Sequence, residues 1–328
     1  MSTLYINTQG AVLKKEEHRF TVSKDGKTLV SVPDFKVERI LIYGNVQITT
    51  QALKFALKNN IPITFLTVYG RFVGTAIPSF SKNILLRIKQ FSIMNDPERK
   101  LDFAKSVVES KISNSIIMLK RFFKHTEIDP ENIHELKALK NSVKNVNSIG
   151  QLQGTEGTAS SLYFREIKRL FAGKILISGR NYHPAKDAFN SLLNFLYSLI
   201  SNEMLGILYN AGFDPYLGFL HSVEYGRTSL TYDIIEPFRS PIADSVAVKL
   251  FSMRIISEED FEPHKLYGYI LKNNARRIVL AHYEQKMENT FTYKNKQYNF
   301  RKLMHEEGEK LKKAVLEGKT YEPFKLTR

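Results

Sequence analysis

The sequence predicts an α+β protein, an N-terminal β-strand domain with one helix followed by a larger all-α-helical domain. Its 328 residues exceed the length at which a single hydrophobic core usually stops growing, so two domains are expected. Up to about residue 77, short apolar runs alternate with polar residues between turn signals, which is the pattern of strands. Beyond residue 82 the runs lengthen and take helical spacing. The domains are therefore placed at 1–78 and 82–328, joined by the polar connector Pro78, Ser79, Ser81 and Lys82.

Strands are expected at Leu4-Tyr5-Ile6, Arg19 to Val22, Thr28 to Val32, Arg39 to Tyr43, Ile63 to Val68 and Phe72 to Ile77. Lys24-Asp25-Gly26-Lys27 reads as a hairpin turn, because Gly26 is free to take positive φ. Thr49 to Asn60 breaks the alternation: Ala52, Phe55, Ala56 and Leu57 have helical spacing, and the run stops before Pro62. In the second domain, helices are expected from Leu85 through Ile93, and over Leu101 to Lys124, Pro130 to Val146, Ser148 to Phe171 and Pro184 to Gly212. Three more follow at Pro241 to Ile255, Pro263 to Met287 and Phe300 to Glu317.

Lys and Arg number 48 against 33 Asp and Glu, a formal charge of +15, which points to a polyanionic partner. The surplus is +5 over residues 1–77 and +10 over the remainder, so neither domain monopolises it. There is no cysteine, which excludes disulfide scaffolds, thiolate zinc sites, iron–sulfur clusters and cysteine nucleophiles and fits a cytoplasmic location. Met1 to Gly10 is polar and lacks a signal peptide's basic start and apolar block. The greasiest stretch, Ala188 to Ile200, is too short for a span of roughly 20 apolar residues and reads as a buried helix, so no membrane partner is expected.

Without thiols, the chemistry must rest on carboxylates and histidines. His18, His125, His134 and His305 sit in polar surroundings and read as surface residues. His221 differs, because it closes the apolar, glycine-containing run Gly212 to His221 and needs a partner if buried. Asp233, Glu236 and Arg239 follow at a spacing that stacks them on one helical face. Pro237 argues that this helix starts close to Asp233 or Glu236; a plain Glu236–Arg239 surface pair is the alternative. Glu156 stands between Gly154 and Gly157 at the opening of a helix, where small neighbours permit close approach by another element or a ligand. An acid compensating the helix dipole is the alternative there. Together Glu156, His221 and Glu236, with Asp233 in reserve, offer two carboxylates and an imidazole. That donor set suits Mg²⁺ or Mn²⁺ better than zinc. A divalent cation on a basic protein suggests phosphoryl transfer on nucleic acid.

At these residues the chain resembles the universal CRISPR-associated adaptation integrase, the first of the CRISPR-associated protein families. The matching stretches are Gly154-Thr155-Glu156-Gly157 with Tyr163 and Phe164; Arg180-Asn181-Tyr182-His183-Pro184 with Asp187, Asn190 and Tyr197; Gly212-Phe213-Asp214-Pro215 with Gly218-Phe219-Leu220-His221; and Tyr225-Gly226-Arg227 with Asp233, Glu236, Pro237, Phe238, Arg239 and Asp244. With Leu4-Tyr5-Ile6 and Gly44-Asn45-Val46 at the start and Tyr321-Glu322-Pro323-Phe324 at the end, the resemblance in effect spans the whole chain. The resemblance implies a catalytic helical domain and a homodimer formed mainly through the N-terminal domains. Its metal ligands fall on Glu156, His221 and Glu236, with Asp233 as an acid beside the site. The implied activity is metal-dependent DNA cleavage and joining. With a small ferredoxin-like CRISPR-associated partner, the family inserts DNA fragments into the repeat array through attack by their 3′-hydroxyls. Arg180, Arg227 and Arg239 are then candidates to grip phosphate, with structural pairing to local acids as the alternative; for Tyr163 and Tyr197 core packing is the favoured reading at helical positions, with stacking on or positioning of DNA ends as the alternative. A DNA-binding scaffold and a stand-alone nuclease for branched repair intermediates are the competing readings.

Overall fold

The computed structural model describes residues 2–68, 70, 72–77, 83–124, 127–181 and 184–327. The connector Pro78, Ser79, Ser81 and Lys82, and His125, Tyr182 and His183, lie outside the described residues. Two units are present, Met1–Phe80 and Ser81–Arg328.

In the first unit, alternating apolar side chains form β1 (Ser2–Ile6), β2 (Val12–Glu16), β3 (Arg19–Lys24), β4 (Lys27–Pro33), β5 (Val37–Tyr43), β6 (Gln47–Ile48), α1 (Thr50–Lys58), β7 (Ile63–Leu66) and β8 (Phe72–Ala76). One four-stranded sheet has the order β1-β5-β7-β8 and the other β4-β3-β2-β6. Their inward faces share one core: Leu4, Ile6, Ile40, Ile42 and Ile63 meet Leu13, Phe20 and Val22, with Ala52 and Ala56 of α1 between them. The expected β3–β4 hairpin is formed, with φ +50° at Asp25 and +75° at Gly26, the paired positive values of a type I′ turn. Strands β2 and β6 have no counterpart in the sequence reading. β2 carries only Val12 and Leu13 before Lys14, Lys15 and Glu16, too short an alternation to stand out.

The second unit contains α2 (Ile84–Met94), α3 (Pro97–Phe122), α4 (Pro130–Ser142), α5 (Ile149–Leu170), α6 (Ala188–Ala211), α7 (Ser229–Phe238), α8 (Ser245–Ser252), α9 (Asn273–Glu288) and α10 (Phe300–Glu317). Local chemistry sets several starts: Asp96 and Asp129 accept backbone N–H groups ahead of Pro97 and Pro130, and Ser148, Asp187 and Asn299 cap α5, α6 and α10. The greasy helix, expected over Pro184 to Gly212, starts at Ala188 and ends at Ala211. α6 has 24 residues, enough by length and composition to cross a membrane. Leu192, Leu196, Ile200, Met204 and Leu208 are fully enclosed, so it forms the centre of the helical unit.

Two expectations are corrected here. The helix predicted from Pro263 to Met287 starts only at Asn273, because β9 (Phe261–His264) and β10 (Gly268–Leu271) pair ahead of it. A second hairpin joins β11 (Phe291–Tyr293) and β12 (Lys296–Tyr298) through Lys294 and Asn295 at positive φ. The second unit is therefore mostly, not wholly, helical. The helix carrying Asp233 and Glu236 begins earlier than Pro237 suggested, at Ser229, and holds that proline in its last turn. A π-helical turn, Arg239–Asp244, follows at once and contains Pro241, which has no N–H to give the Pro237 carbonyl four residues back. Asn114 of α3 donates to the Pro237 carbonyl at 2.8 Å, which pins the irregular stretch.

Candidate active site

The site is assembled by α3, α5, α7 and the loop between α6 and α7. Gly212 ends α6 in the left-handed region at φ +99°, and the chain then passes Gln90 of α2. That enclosed side chain donates to the carbonyls of Asp214 and Leu217 at 2.9 and 3.0 Å and accepts from the Asp214 N–H at 3.0 Å. Gly218 next runs against α7 so closely that a Cβ there would lie 2.8 Å from Asp233 Oδ2 and from Ser229. Only glycine fits, and its absent side chain lets the following backbone reach Asp233.

Asp233, wholly buried, accepts the N–H groups of Phe219 (2.5 Å) and Leu220 (2.9 Å) on Oδ2. On Oδ1 it accepts the His221 N–H at 3.0 Å and pairs with His221 Nδ1 at 2.6 Å. Four donors fill both oxygens, so Asp233 keeps no lone pair for a metal. With the proton on Nδ1 facing the carboxylate, Nε2 of His221 is left as the acceptor nitrogen, the arrangement in which carboxylates orient metal-binding histidines. Gln153 of α5 donates to the Leu220 carbonyl at 2.9 Å, tying this loop to the helix that carries Glu156.

Glu156 and Glu236 meet on one cation. Lys111, from α3, contacts Glu156 Oε1 and lies 2.7 Å from Glu236 Oε2. Ser160, one turn on from Glu156, donates to the same Oε1 at 2.8 Å, and Arg239 holds Glu236 Oε1 at 3.0 Å. Burial alone would raise the Glu236 carboxyl, but Arg239, Lys111 and His221 bring it down to about 2. Burial pulls Lys111 down, and the charges of Glu236 and Glu156 more than offset it, holding its ammonium above the ordinary lysine value.

Beyond this cluster the cleft is lined by Ala159, Tyr163, Phe164, Arg180, Tyr197, Arg239 and Asp244. Tyr163 and Tyr197 donate to the two oxygens of Asp244 at 2.9 and 2.6 Å. Burial pushes the Asp244 carboxyl up to about 6, against the pull of both hydroxyls and of Arg180 and Arg239. Burial and the Asp244 charge raise both phenols well above their usual range. Arg239 and Arg180 stack on Tyr197, 4.8 and 5.2 Å from its centroid, and Arg180 also bonds Asn190 and Asn194.

The structure thus brings Glu156 and Glu236 to one cation and fixes His221 through Asp233, with His221 within electrostatic reach of Glu236. It does not present a finished metal cage: among the described residues no three acids or histidines form one, since Lys111 stands between the carboxylates. Glu156 is not in the first turn, because α5 starts seven residues earlier at Ile149, and helix-dipole compensation falls away. Nothing lies within 4 Å of a Cβ added at Gly154 or Gly157, so no protein element makes the close approach expected there and that face of α5 is open. The Glu236–Arg239 pair is present but enclosed, not at the surface. The Tyr163 ring is buried and packs edge-on against Phe164, the arrangement that core packing of this ring calls for. Arg227 sits on the loop before α7, paired with Glu224 at 2.9 Å. Sequence reasoning did not single out Lys111, Gln90, Gln153 or Ser160, and it gave Asp244 no role. The one available signal was Lys111 itself, a charge in line with Ala104, Val107 and Val108 on the buried stripe of α3.

The donor chemistry fits a hard divalent cation. Two carboxylates from different helices already converge on a positive charge, and one imidazole keeps Nε2 available.

Residues 4–285 match the model of the family described as CRISPR associated protein Cas1. A relative from Thermus thermophilus named CRISPR-associated endonuclease Cas1 3 is 31% identical over 99% of this chain and 97% of its own length. Among solved structures, a Cas1 protein from Thermotoga maritima superposes over 100% of both chains with a TM-score of 0.83 at 25% identity. A casposase bound to integration product gives 0.83 at 23% identity over 97% of this chain and 92% of that one. A Cas6-RT-Cas1–Cas2 complex gives 0.83 at 21% identity over 100% of this chain and 36% of that chain.

Proposed function

The chain belongs to the Cas1 family, and from that premise we propose that it is the divalent-metal-dependent DNA endonuclease and integrase of CRISPR spacer acquisition, with its active centre at Glu156, His221 and Glu236. The observation that carries this is the convergence of Glu156 and Glu236 on one cation beside an imidazole oriented by Asp233. Mg²⁺ or Mn²⁺ held there by Glu156, Glu236 and His221 Nε2 would polarise a phosphodiester and lower the pKa of an attacking hydroxyl.

The protein's own groups do the rest. Asp233 keeps His221 in one tautomer and one orientation. Arg239 and Arg180, aligned on the Tyr197 ring, offer planar guanidiniums to phosphate at the wall of the cleft, and Arg227 adds a more exposed one. Asp244, through both tyrosine hydroxyls, fixes the floor on which those arginines rest. In strand transfer, a 3′-hydroxyl oxygen forms a new bond to the target phosphorus while the bond to the departing 3′-oxygen breaks. One phosphodiester replaces another, so no outside energy source is needed.

DNA is the substrate and a further Cas protein the partner; we assign that partner to the small ferredoxin-fold class. A homodimer through the N-terminal unit is supported by its exposed Leu29, Phe35, Phe72 and Val73. The absence of cysteine supports a cytoplasmic site of action.

The test is incubation with Mn²⁺, a labelled DNA fragment and a repeat-bearing plasmid, with and without the small partner. Joined product that is lost in Glu156→Gln or His221→Ala, with DNA binding retained, supports the proposal. Cutting without joining points to a stand-alone nuclease, and salt-sensitive binding without product to a scaffold.

A further inference from the structure

Lys111 is the one member of the acidic cluster that no metal chemistry calls for, yet it occupies the centre. It reaches from α3 to acids on two other helices, contacting Glu156 Oε1 and lying 2.7 Å from Glu236 Oε2. We propose that Lys111 is a built-in counter-cation of the metal site, whose ammonium holds the metal's position in the metal-free protein, competes with the divalent ion for both carboxylates and is expelled when the ion binds. This rests on the metal-site reading above and goes beyond it in making metal loading an exchange of cations.

Charge balance is the first argument. Glu156 and Glu236 are matched by Lys111 and by Arg239, which holds Glu236 Oε1 at 3.0 Å. These four side chains cancel, and the buried Asp233 behind the neutral His221 gives the site one net negative charge. A divalent ion added to it would leave an excess positive charge beside Glu236, whose side chain is only 3% exposed, a costly state where water cannot screen it. Expelling one monovalent cation relieves it.

Mobility identifies which cation leaves. Arg239 is clasped by Glu236 and stacked on Tyr197. Lys111 hangs on a flexible four-carbon arm, its side chain is 15% exposed, and it borders the cleft lined by Ser115, Ser160 and Arg180. It therefore has a route out and polar surroundings to enter, where the freed ammonium can meet a DNA phosphate.

The experiment is calorimetric titration of Mn²⁺ into the full-length protein without DNA, comparing wild type with Lys111→Met, Lys111→Arg and Glu156→Gln. Removing the competing charge is expected to tighten Mn²⁺ binding at least about tenfold in Lys111→Met, while Lys111→Arg, which keeps the charge, stays within a few-fold of wild type. Mass-spectrometric readout of lysine acylation in the wild type gives a second measure that does not depend on the variants folding: Lys111 is protected in chelator and reactive in Mn²⁺. Unchanged or weaker Mn²⁺ binding in Lys111→Met, or acylation of Lys111 insensitive to Mn²⁺, overturns the proposal. If Glu156→Gln loses Mn²⁺ while Lys111→Met gains nothing, the metal site stands and only the exchange falls. If Glu156→Gln binds Mn²⁺ as wild type does, the metal-site reading falls and the exchange with it.

Discussion

Replacing Asp233 by asparagine keeps the shape of the side chain and changes what one of its two atoms can do. In the native protein, Oδ2 accepts two backbone N–H groups at 2.5 and 2.9 Å and Oδ1 serves His221 at 3.0 and 2.6 Å. Whichever way the amide turns, its NH₂ faces two donors, and two hydrogen bonds are lost in a place without water. At about 1–3 kcal/mol for each of the two stranded donors, the cost is about 2–6 kcal/mol. For a unit of this size that corresponds to a melting temperature lower by about 4–24 °C. His221 loses its fixed tautomer as well, so metal affinity or activity should fall about 10- to 100-fold. Differential scanning calorimetry and Mn²⁺ titration of the same preparation read both effects. A melting point within about 2 °C of wild type, with unchanged Mn²⁺ affinity, would refute the assignment of Asp233 as the anchor of both the loop and the imidazole.

Gly218→Ala should act through the same anchor. The added Cβ meets Asp233 Oδ2 and Ser229 at 2.8 Å, so a loss of about 1–3 kcal/mol is expected, and its combination with Asp233→Asn should be less than additive in denaturant titrations. Asp244 supplies a pH prediction: its carboxyl stands at about 6 in the folded protein against an ordinary 3.8. The raised pKa means that its contribution to stability is fully present below 3.8 and is lost as pH rises through about 6. Urea unfolding across that window should show a decline that Asp244→Asn flattens; an equal slope in both proteins contradicts it. Arg301→Met should cost about 3–5 kcal/mol, since it removes the guanidinium that holds the buried Glu203 at 3.2 and 3.3 Å beside the Tyr283 hydroxyl. Thermal melts check this, and a shift below about 2 °C would count against it.

The strand-rich start was legible because alternation over five or more residues leaves few alternatives, as in Arg19–Lys24. β2, with two apolar residues, and β11–β12, with three residues a side, fell below that length. The second hairpin did carry a sign, the Lys294-Asn295 pair between aromatic runs. The acids and histidine were readable as chemistry because so few other residue types were available, and the partnership of His221 with an acid followed from its apolar setting. Their supports were not readable. Gln90 and Gln153 act on backbone groups 124 and 67 residues away in sequence, and no local pattern encodes such a pairing. Lys111 gave one sign, its place in line with Ala104, Val107 and Val108 on α3, but nothing local says which acids it meets. Pro237 misled because it sits in the last turn of α7, directly ahead of the π-helical turn, rather than in a first turn.

The central claim is that a divalent ion binds between Glu156 and Glu236 with Nε2 of His221 as a further ligand. Crystals of the full-length protein grown with Mn²⁺ and measured for anomalous scattering test it most directly. A single strong peak bonded to Glu156, Glu236 and His221 Nε2 is the predicted result. A peak that engages other residues, or ordered crystals with none at this cluster, would contradict the account.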